Sequence, residues 1–304
     1  MGIRITGWGS ALPEKVVTND DLAGMMDTSD EWIRERTGIR ERRVGGTTAG
    51  LAIDAARHAL DRAGVAPEDI DLLVLATTTP DQTIPASSAT VQTGLGLRCG
   101  AFDINAACSG FVYAMVTASA FIETGLQRVL VIGSDTLSRV TDWTDRTTAI
   151  LFADGAGAVV LERSDEPTLL GWDLGCDGTA RHMLDCEVGG HIHMDGREVF
   201  RRAVRAVVAS AENALQRANV SASDIDWLVP HQANIRIIQS AADKLGIPME
   251  RAIEVLSYTG NTSAASIPLA LAAAADEGRF EPGDLLLLSG FGAGMTWASA
   301  VLRW

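Results

Sequence analysis

The sequence predicts a layered α/β protein built from two similar halves. Three observations carry that prediction: an internal repeat, apolar strands that recur in the same order, and a small-residue apolar helix in each half. Residues 59–74 read ALDRAGVAPEDIDLLV and residues 214–229 read ALQRANVSASDIDWLV. Ten of those sixteen positions are identical at a constant offset of 155 in a chain of 304 residues. A period near half the length marks a duplication, not a solenoid.

The elements follow in order. Residues 1–6 read as a strand, with no charged-then-apolar secretion signal. Residues 49–63 form an amphipathic helix. Gly64 closes it, and Asn219 closes its copy, where a left-handed residue is wanted. Residues 100–104 are strand-like. Residues 111–124 are apolar nearly all round and rich in small residues, which predicts a buried central helix ending at Gly125. Residues 128–133 and 284–289 are continuous apolar strands of the kind buried on both faces. Each leads to a second strand, at residues 154–161 and, after Gly292-Ala293-Gly294, at residues 298–302. The polar turn at residues 163–167 divides the chain into halves 1–165 and 166–304. Residues 264–277 are the mate of the central helix.

Adding 155 to Cys108 gives Ser263, two residues past Asn261. Duplication therefore puts the Cys108 turn and the Asn261 loop at equivalent starts of two central helices. A pseudo-twofold axis would bring those starts face to face.

Composition limits the function classes. With 47% hydrophobic and 21% charged residues the balance is that of a globular protein. A net charge of −14 argues against nucleic acid as a partner, and an anionic ligand would need a local basic patch. No stretch reaches the roughly 18 apolar residues of a membrane span. Four cysteines (Cys99, Cys108, Cys176 and Cys186) are too few for a disulfide scaffold at this length, which suits a reducing cytoplasm.

Three separated motifs carry chemistry. Cys108 sits between the strand-like run and the central helix, where free N–H groups and the helix dipole favour a thiolate. On its own it is equally compatible with a buried packing cysteine. His231 follows a predicted strand, at the edge where α/β sites collect. Asn261 lies in Gly260-Asn261-Thr262-Ser263. Together they form a Cys/His/Asn set suited to making and using a thioester.

The chain resembles the beta-ketoacyl-acyl-carrier-protein synthase III family of the thiolase superfamily. The resemblance rests on residues 27–33 and 36–42, 103–111, 152–158, 230–236, 260–268 and 290–294, in that order. It implies a five-layered α-β-α-β-α thiolase-like fold of two pseudo-repeated halves, working as a homodimer. The implied reaction is decarboxylating condensation of an acyl-coenzyme A with malonyl-acyl carrier protein, starting fatty-acid synthesis. No cofactor is implied: coenzyme A enters as a substrate thioester, and phosphopantetheine is carried by the acyl carrier protein.

The resemblance also implies roles. Cys108 is the nucleophile, with its own N–H and that of Ala293 as the oxyanion hole. His231 and Asn261 stabilise the enolate left by decarboxylation. A neutral Asn suits that charge where an Asp would repel it. Thr28, Trp32, Arg36 and Arg146 match the coenzyme A site, and Gly196, Phe200 and Asn234 the pantetheine tunnel. Arg197 stands where the family commonly has Asn. Ile84, Phe152 and Met194 match the acyl pocket, and the family residue at Ile84 reaches in from the partner subunit. Arg201, Arg202, Arg205 and Arg236 make a patch for the acidic carrier protein, or an ordinary solvated helix face.

Rival readings remain open. A starter-unit ketosynthase or an acyltransferase of a secondary-metabolite pathway would share the fold. A non-catalytic carrier-protein-binding partner should lack the nucleophile. Cys176, His182, Cys186, His191 and His193 have ligand chemistry but no zinc-site spacing, so no metal is assigned.

Overall fold

The computed structural model describes residues 2–304. Met1 lies outside the described residues, and the first strand is Gly2–Ala11. Two sheets hold the main strands. The first runs Gly2–Ala11, Asp154–Ser164, Arg128–Thr136, Leu72–Ala76, Gly100–Ile104. The second runs Leu169–Cys176, Thr296–Arg303, Leu285–Gly292, Trp227–Pro230. Pairing is antiparallel, antiparallel, then parallel in both. The fifth strand of the first sheet has its counterpart in a single parallel bridge, Leu228 to Ala252. The duplication read from sixteen residues thus extends to the whole topology.

Successive side chains along each central strand point to opposite faces, as a pleated strand requires. In the first sheet Val129 and Val131 face inward with Phe111 and Met115, while Leu130 and Ile132 face outward onto Ala52 and Ala55. In the second sheet Leu286 and Leu288 face inward, and Leu287 and Val301 pack outward against Ala211 and Ala242. The order is therefore outer helices, sheet, two central helices, sheet, outer helices: the five layers expected. Both faces of each sheet are covered, which is why these strands read as unbroken apolar runs.

The first central helix is Gly110–Glu123 and the second Ser266–Asp276. Each is entered through a short 3-10 turn, Ala107–Ser109 and Ser263–Ala265. Ala107 (φ 49°) and Ser263 (φ 52°) both hold left-handed backbone. Asn105 Oδ1 accepts from Ala107 N–H at 3.1 Å, and Asn261 Oδ1 accepts from Ser263 N–H at 3.0 Å. The two loops superpose at an offset of 156, not 155. One extra residue has entered between the repeat and the loop, so the mate of Cys108 is Ala264 and the mate of Asn261 is Asn105.

Glycines let the helix starts approach the sheets. A Cβ on Gly133 would collide with the carbonyl oxygen of Ala264, and one on Gly290 would lie 3.4 Å from that of Cys108. Gly110 packs toward Ala76 and Ala264. Gly133→Ala should therefore destabilise the fold by about 1–3 kcal/mol, the usual cost of overpacking. Denaturant unfolding measures this, and an unchanged midpoint would contradict the packing described.

Candidate active site

A cavity of about 130 Å³ opens where the two helix starts meet the second sheet. Cys108, His231 and Asn261 all line it, with Phe152, Met194, Gly196, Phe200, Asn234, Phe291 and Gly292. Two larger surface depressions, of about 620 and 430 Å³, contain none of the three polar residues. Size does not select the site; the convergence of reactive groups does.

His231 is set by three contacts. Its N–H donates to the carbonyl of Ser289 at 2.8 Å, extending the parallel pairing by one residue. Phe291 packs edge-on against the imidazole with centroids 5.4 Å apart. Nδ1 lies 2.6 Å from Ser266 Oγ. That hydroxyl already accepts from Gln232 N–H at 3.3 Å, so its own proton is available for Nδ1. With the Ser266 proton given to Nδ1, Nε2 carries the ring proton; this is the tautomer that the reaction proposed below uses. Burial pushes the imidazole down to about 3, so it is neutral at physiological pH.

The next residue holds this loop. Gln232 is fully buried. Its amide donates to the carbonyls of Pro230 and Ile253, and its oxygen accepts from Val255 and Leu256 N–H. The whole side chain is spent on backbone groups, and it ties the loop carrying His231 to the segment of residues 253–256.

Asn261 is equally constrained. Its N–H donates to Leu151 O and its carbonyl accepts from Ala153 N–H, both at 2.9 Å. The side-chain oxygen is taken by Ser263 N–H, which leaves the NH₂ group to serve the cavity. Both groups are thus neutral donors, oriented by Ser266 and Ser263.

Cys108 departs from the thiolate expectation. Burial pushes the thiol up to about 12; Asp135 adds to the rise, while the Ser263 side chain and the cysteine's own amide oppose it. The turn at a helix start is where it should be, but in the closed site desolvation outweighs the local donors. The resting pair is a thiol and a neutral imidazole, not an ion pair. Ala293 follows the cavity-lining Gly292. Its φ is not positive, and the left-handed demand falls on Gly294 (φ 132°), so alanine fits there without strain.

The predicted coenzyme A residues form a second group at the surface. The Arg36 and Arg146 guanidinium groups lie over the Trp32 ring at 4.3 and 4.9 Å. Thr28 lies beside them in sequence, its hydroxyl buried with no hydrogen-bond partner among the described residues. Asn234 links group to cavity: it lines the cavity, and its amide donates to Arg36 O at 2.9 Å. Its oxygen also caps the Ile235–Leu245 helix, so much of that side chain is structural.

Ile84 stands 85% exposed on a surface loop and does not line this chain's own cavity, where a residue expected to reach in from a partner subunit would not be found. Arg201, Arg202 and Arg205 line the separate groove of about 430 Å³, with Arg201 paired to Glu198 and Arg202 to Asp177. Arg236 is exposed on the Ile235–Leu245 helix, two residues after Asn234. Among the described residues no three His, Cys, Asp or Glu side chains gather as a metal ion would require.

Sequence reasoning missed Ser266, Ser263 and Gln232. Their only signal was adjacency to the Asn261 and His231 motifs.

Two pseudo-repeated halves that meet at a buried Cys/His/Asn cavity define a thiolase-fold enzyme. Two family models match: 3-oxoacyl-[acyl-carrier-protein] synthase III over residues 102–178, and its C-terminal model over residues 215–304. The chain is 51% identical to beta-ketoacyl-[acyl-carrier-protein] synthase III of Rhizobium meliloti over 318 aligned positions, covering 99% of this chain and 98% of the relative. It is similar to the solved 3-oxoacyl-[acyl-carrier-protein] synthase III of Aquifex aeolicus (TM-score 0.98, 45% identity, all of both chains). It is also similar to that of Pseudomonas aeruginosa (TM-score 0.96, 44% identity, covering 100% of this chain and 98% of the other). The chain belongs to the beta-ketoacyl-acyl-carrier-protein synthase III family.

The buried neutral histidine has a measurable consequence. An unfolded chain protonates it near 6.5, the folded chain only near 3. Its contribution to stability is intact above 6.5 and is lost as pH falls, at about 1.4 kcal/mol per pH unit. Unfolding free energies between pH 6 and 4 should fall less steeply for His231→Gln than for the wild type. Equal slopes would contradict a buried neutral ring.

Proposed function

We propose that the protein condenses an acyl-coenzyme A with malonyl-acyl carrier protein, giving 3-oxoacyl-acyl carrier protein, coenzyme A and carbon dioxide, and so initiates fatty-acid synthesis. The observation that carries this reading is the cavity that joins a thiol to two neutral, oriented N–H donors.

In the first step Cys108 sulfur attacks the thioester carbonyl, and coenzyme A leaves with the thiol's proton. The thiolate must form as substrate enters, because the empty site disfavours it. The N–H groups of Cys108 and Ala293 take the oxyanion. In the second step malonyl thioester loses carbon dioxide, and its electron pair becomes an enolate. Nε2–H of His231 and the Asn261 amide hold the enolate oxygen. Two neutral donors stabilise that charge without repelling the carboxylate that departs. The carbanion then attacks the acyl carbonyl and expels the Cys108 thiolate.

The remaining assignments belong to the same reading. Trp32, Arg36, Arg146 and Thr28 hold the nucleotide end of coenzyme A; stacking and guanidinium–phosphate contacts suit them. Gly196, Phe200 and Asn234 line the pantetheine path, and Phe152 and Met194 the acyl end. Ile84 would enter an acyl pocket only from a second copy of the chain, which a homodimer supplies. Exposed Arg236, two residues along the chain from the cavity's Asn234, and the groove of Arg201, Arg202 and Arg205 would meet the acidic carrier protein. No cofactor takes part. We assign the protein to the cytoplasm; among the described residues no helix is long and apolar enough to cross a membrane. A starter-unit synthase for secondary metabolism would use the same residues, and the family favours the fatty-acid role.

The test separates the two steps. Wild type treated with acyl-coenzyme A should carry an acyl adduct on Cys108 by mass spectrometry, and Cys108→Ala should carry none. His231→Ala and Asn261→Ala should keep the adduct and lose malonyl decarboxylation by about 10²–10³-fold, the usual cost of one oxyanion donor. An adduct elsewhere, or decarboxylation that survives both substitutions, would refute the assignment.

A further inference from the structure

Asp135 is a fully buried carboxylate that the mechanism above does not use. No ion pair with a cation reaches it among the described residues. It is instead surrounded by donors. Oδ1 accepts from Thr77 Oγ1, Thr78 N and Oγ1, and Thr79 N and Oγ1, at 2.7–3.1 Å. Oδ2 accepts from Ala264 N–H at 3.0 Å.

The internal repeat says what this arrangement is. Strand registers match Leu72 with Trp227, and Val129 with Leu286. Continuing along each strand pairs Ala76 with His231, Gly133 with Gly290, Asp135 with Gly292 and Thr136 with Ala293. The loops pair Asn105 with Asn261, Ala264 with Cys108, and Gly110 with Ser266. Contacts agree: Gly133 crosses Ala264 as Gly290 crosses Cys108, and Gly110 packs on Ala76 as Ser266 meets His231. The positions that mirror the site therefore carry Ala264 in place of Cys108 and Ala76 in place of His231.

The amides there are already occupied. A Cβ on Gly292 would lie 2.5 Å from Cys108 N, so glycine there keeps the space beside that N–H open. At the mirrored position Asp135 fills the space and takes the N–H of Ala264. Thr136 N–H, the mirror of Ala293 N–H, donates to Thr79 Oγ1 at 2.8 Å.

We propose that Asp135 is the tethered occupant of a degenerate oxyanion hole, and that through Ala264 N–H it positions the loop that orients Asn261 and His231. Ala264 lies between Ser263, which holds the Asn261 amide oxygen, and Ser266, which holds His231 Nδ1. Asp135 pins that loop to the Thr77–Thr79 segment of the opposite half. It is a positioning residue for the second step. This inference rests on the two-step reading above.

Asp135→Asn tests it. Five donors keep the amide oxygen at the Oδ1 position, which turns the NH₂ group toward Ala264 N–H, donor against donor. Cys108 acylation should be kept or rise, since the Asp135 charge that helps hold the thiol up is removed. Malonyl decarboxylation should fall about 10–100-fold in kcat with KM little changed, somewhat less than loss of a donor itself. Asp135→Gly recreates the open geometry of Gly292; millimolar formate should restore its decarboxylation at least about tenfold while leaving wild type unchanged. Loss of both half-reactions together in Asp135→Asn, or of neither, overturns the positioning role. Failure of formate to rescue Asp135→Gly overturns the oxyanion-hole assignment. A wild type that shows no acyl adduct would instead count against the proposed function.

Discussion

The close approach of two helix starts, each laid on a glycine of a central strand, is the constraint on which the structure depends. Gly133 admits the backbone of Ala264, and Gly292 that of Cys108. A side chain at either place would force the central helices away from the sheets. The cavity would then lose its wall, and the thiol would lose its position beside the second sheet. Everything chemical follows from that contact, because it brings a cysteine from one half to a histidine and an asparagine from the other.

Burial then decides protonation. The same enclosure pushes the Cys108 thiol up to about 12 and His231 down to about 3. Neither group is charged at rest. A neutral imidazole is of little use as a base at that pKa, but it is a good donor when its proton sits on Nε2. A proton donated by the Ser266 hydroxyl to Nδ1 would put it there, and Ser263 N–H orients the Asn261 amide in the same way. Desolvation that hinders thiolate formation also strengthens every hydrogen bond to a developing oxyanion. In the proposed reaction the site gives up a reactive resting nucleophile for a stronger grip on the charges that appear.

The fold was legible in the sequence because duplication leaves a long-lived pattern. The helix end, turn and strand at residues 59–74 and 214–229 set the halves, and the apolar runs set the layers. Cys108, His231 and Asn261 were legible because each stands in a motif at an element boundary. The residues that orient them were not. Ser266 is one more serine at the start of an apolar helix until the crossing of two chain segments puts it 2.6 Å from His231. Asp135 sits inside a strand, and its five donors on the Thr77–Thr79 loop come from more than fifty residues away. The offset of 155 slipped to 156 because a single inserted residue between repeat and loop is invisible until registers are compared. The thiolate expectation failed because it weighed the helix start and not the depth of burial.

The central claim is that His231 works as a neutral Nε2–H donor. Nitrogen-15 NMR of histidine-labelled protein at neutral pH tests it most directly, with His231→Gln used to assign the signal. The account predicts one protonated ring nitrogen, Nε2, and an unprotonated Nδ1 whose shift moves in Ser266→Ala. An imidazolium, or a proton resident on Nδ1, would contradict it.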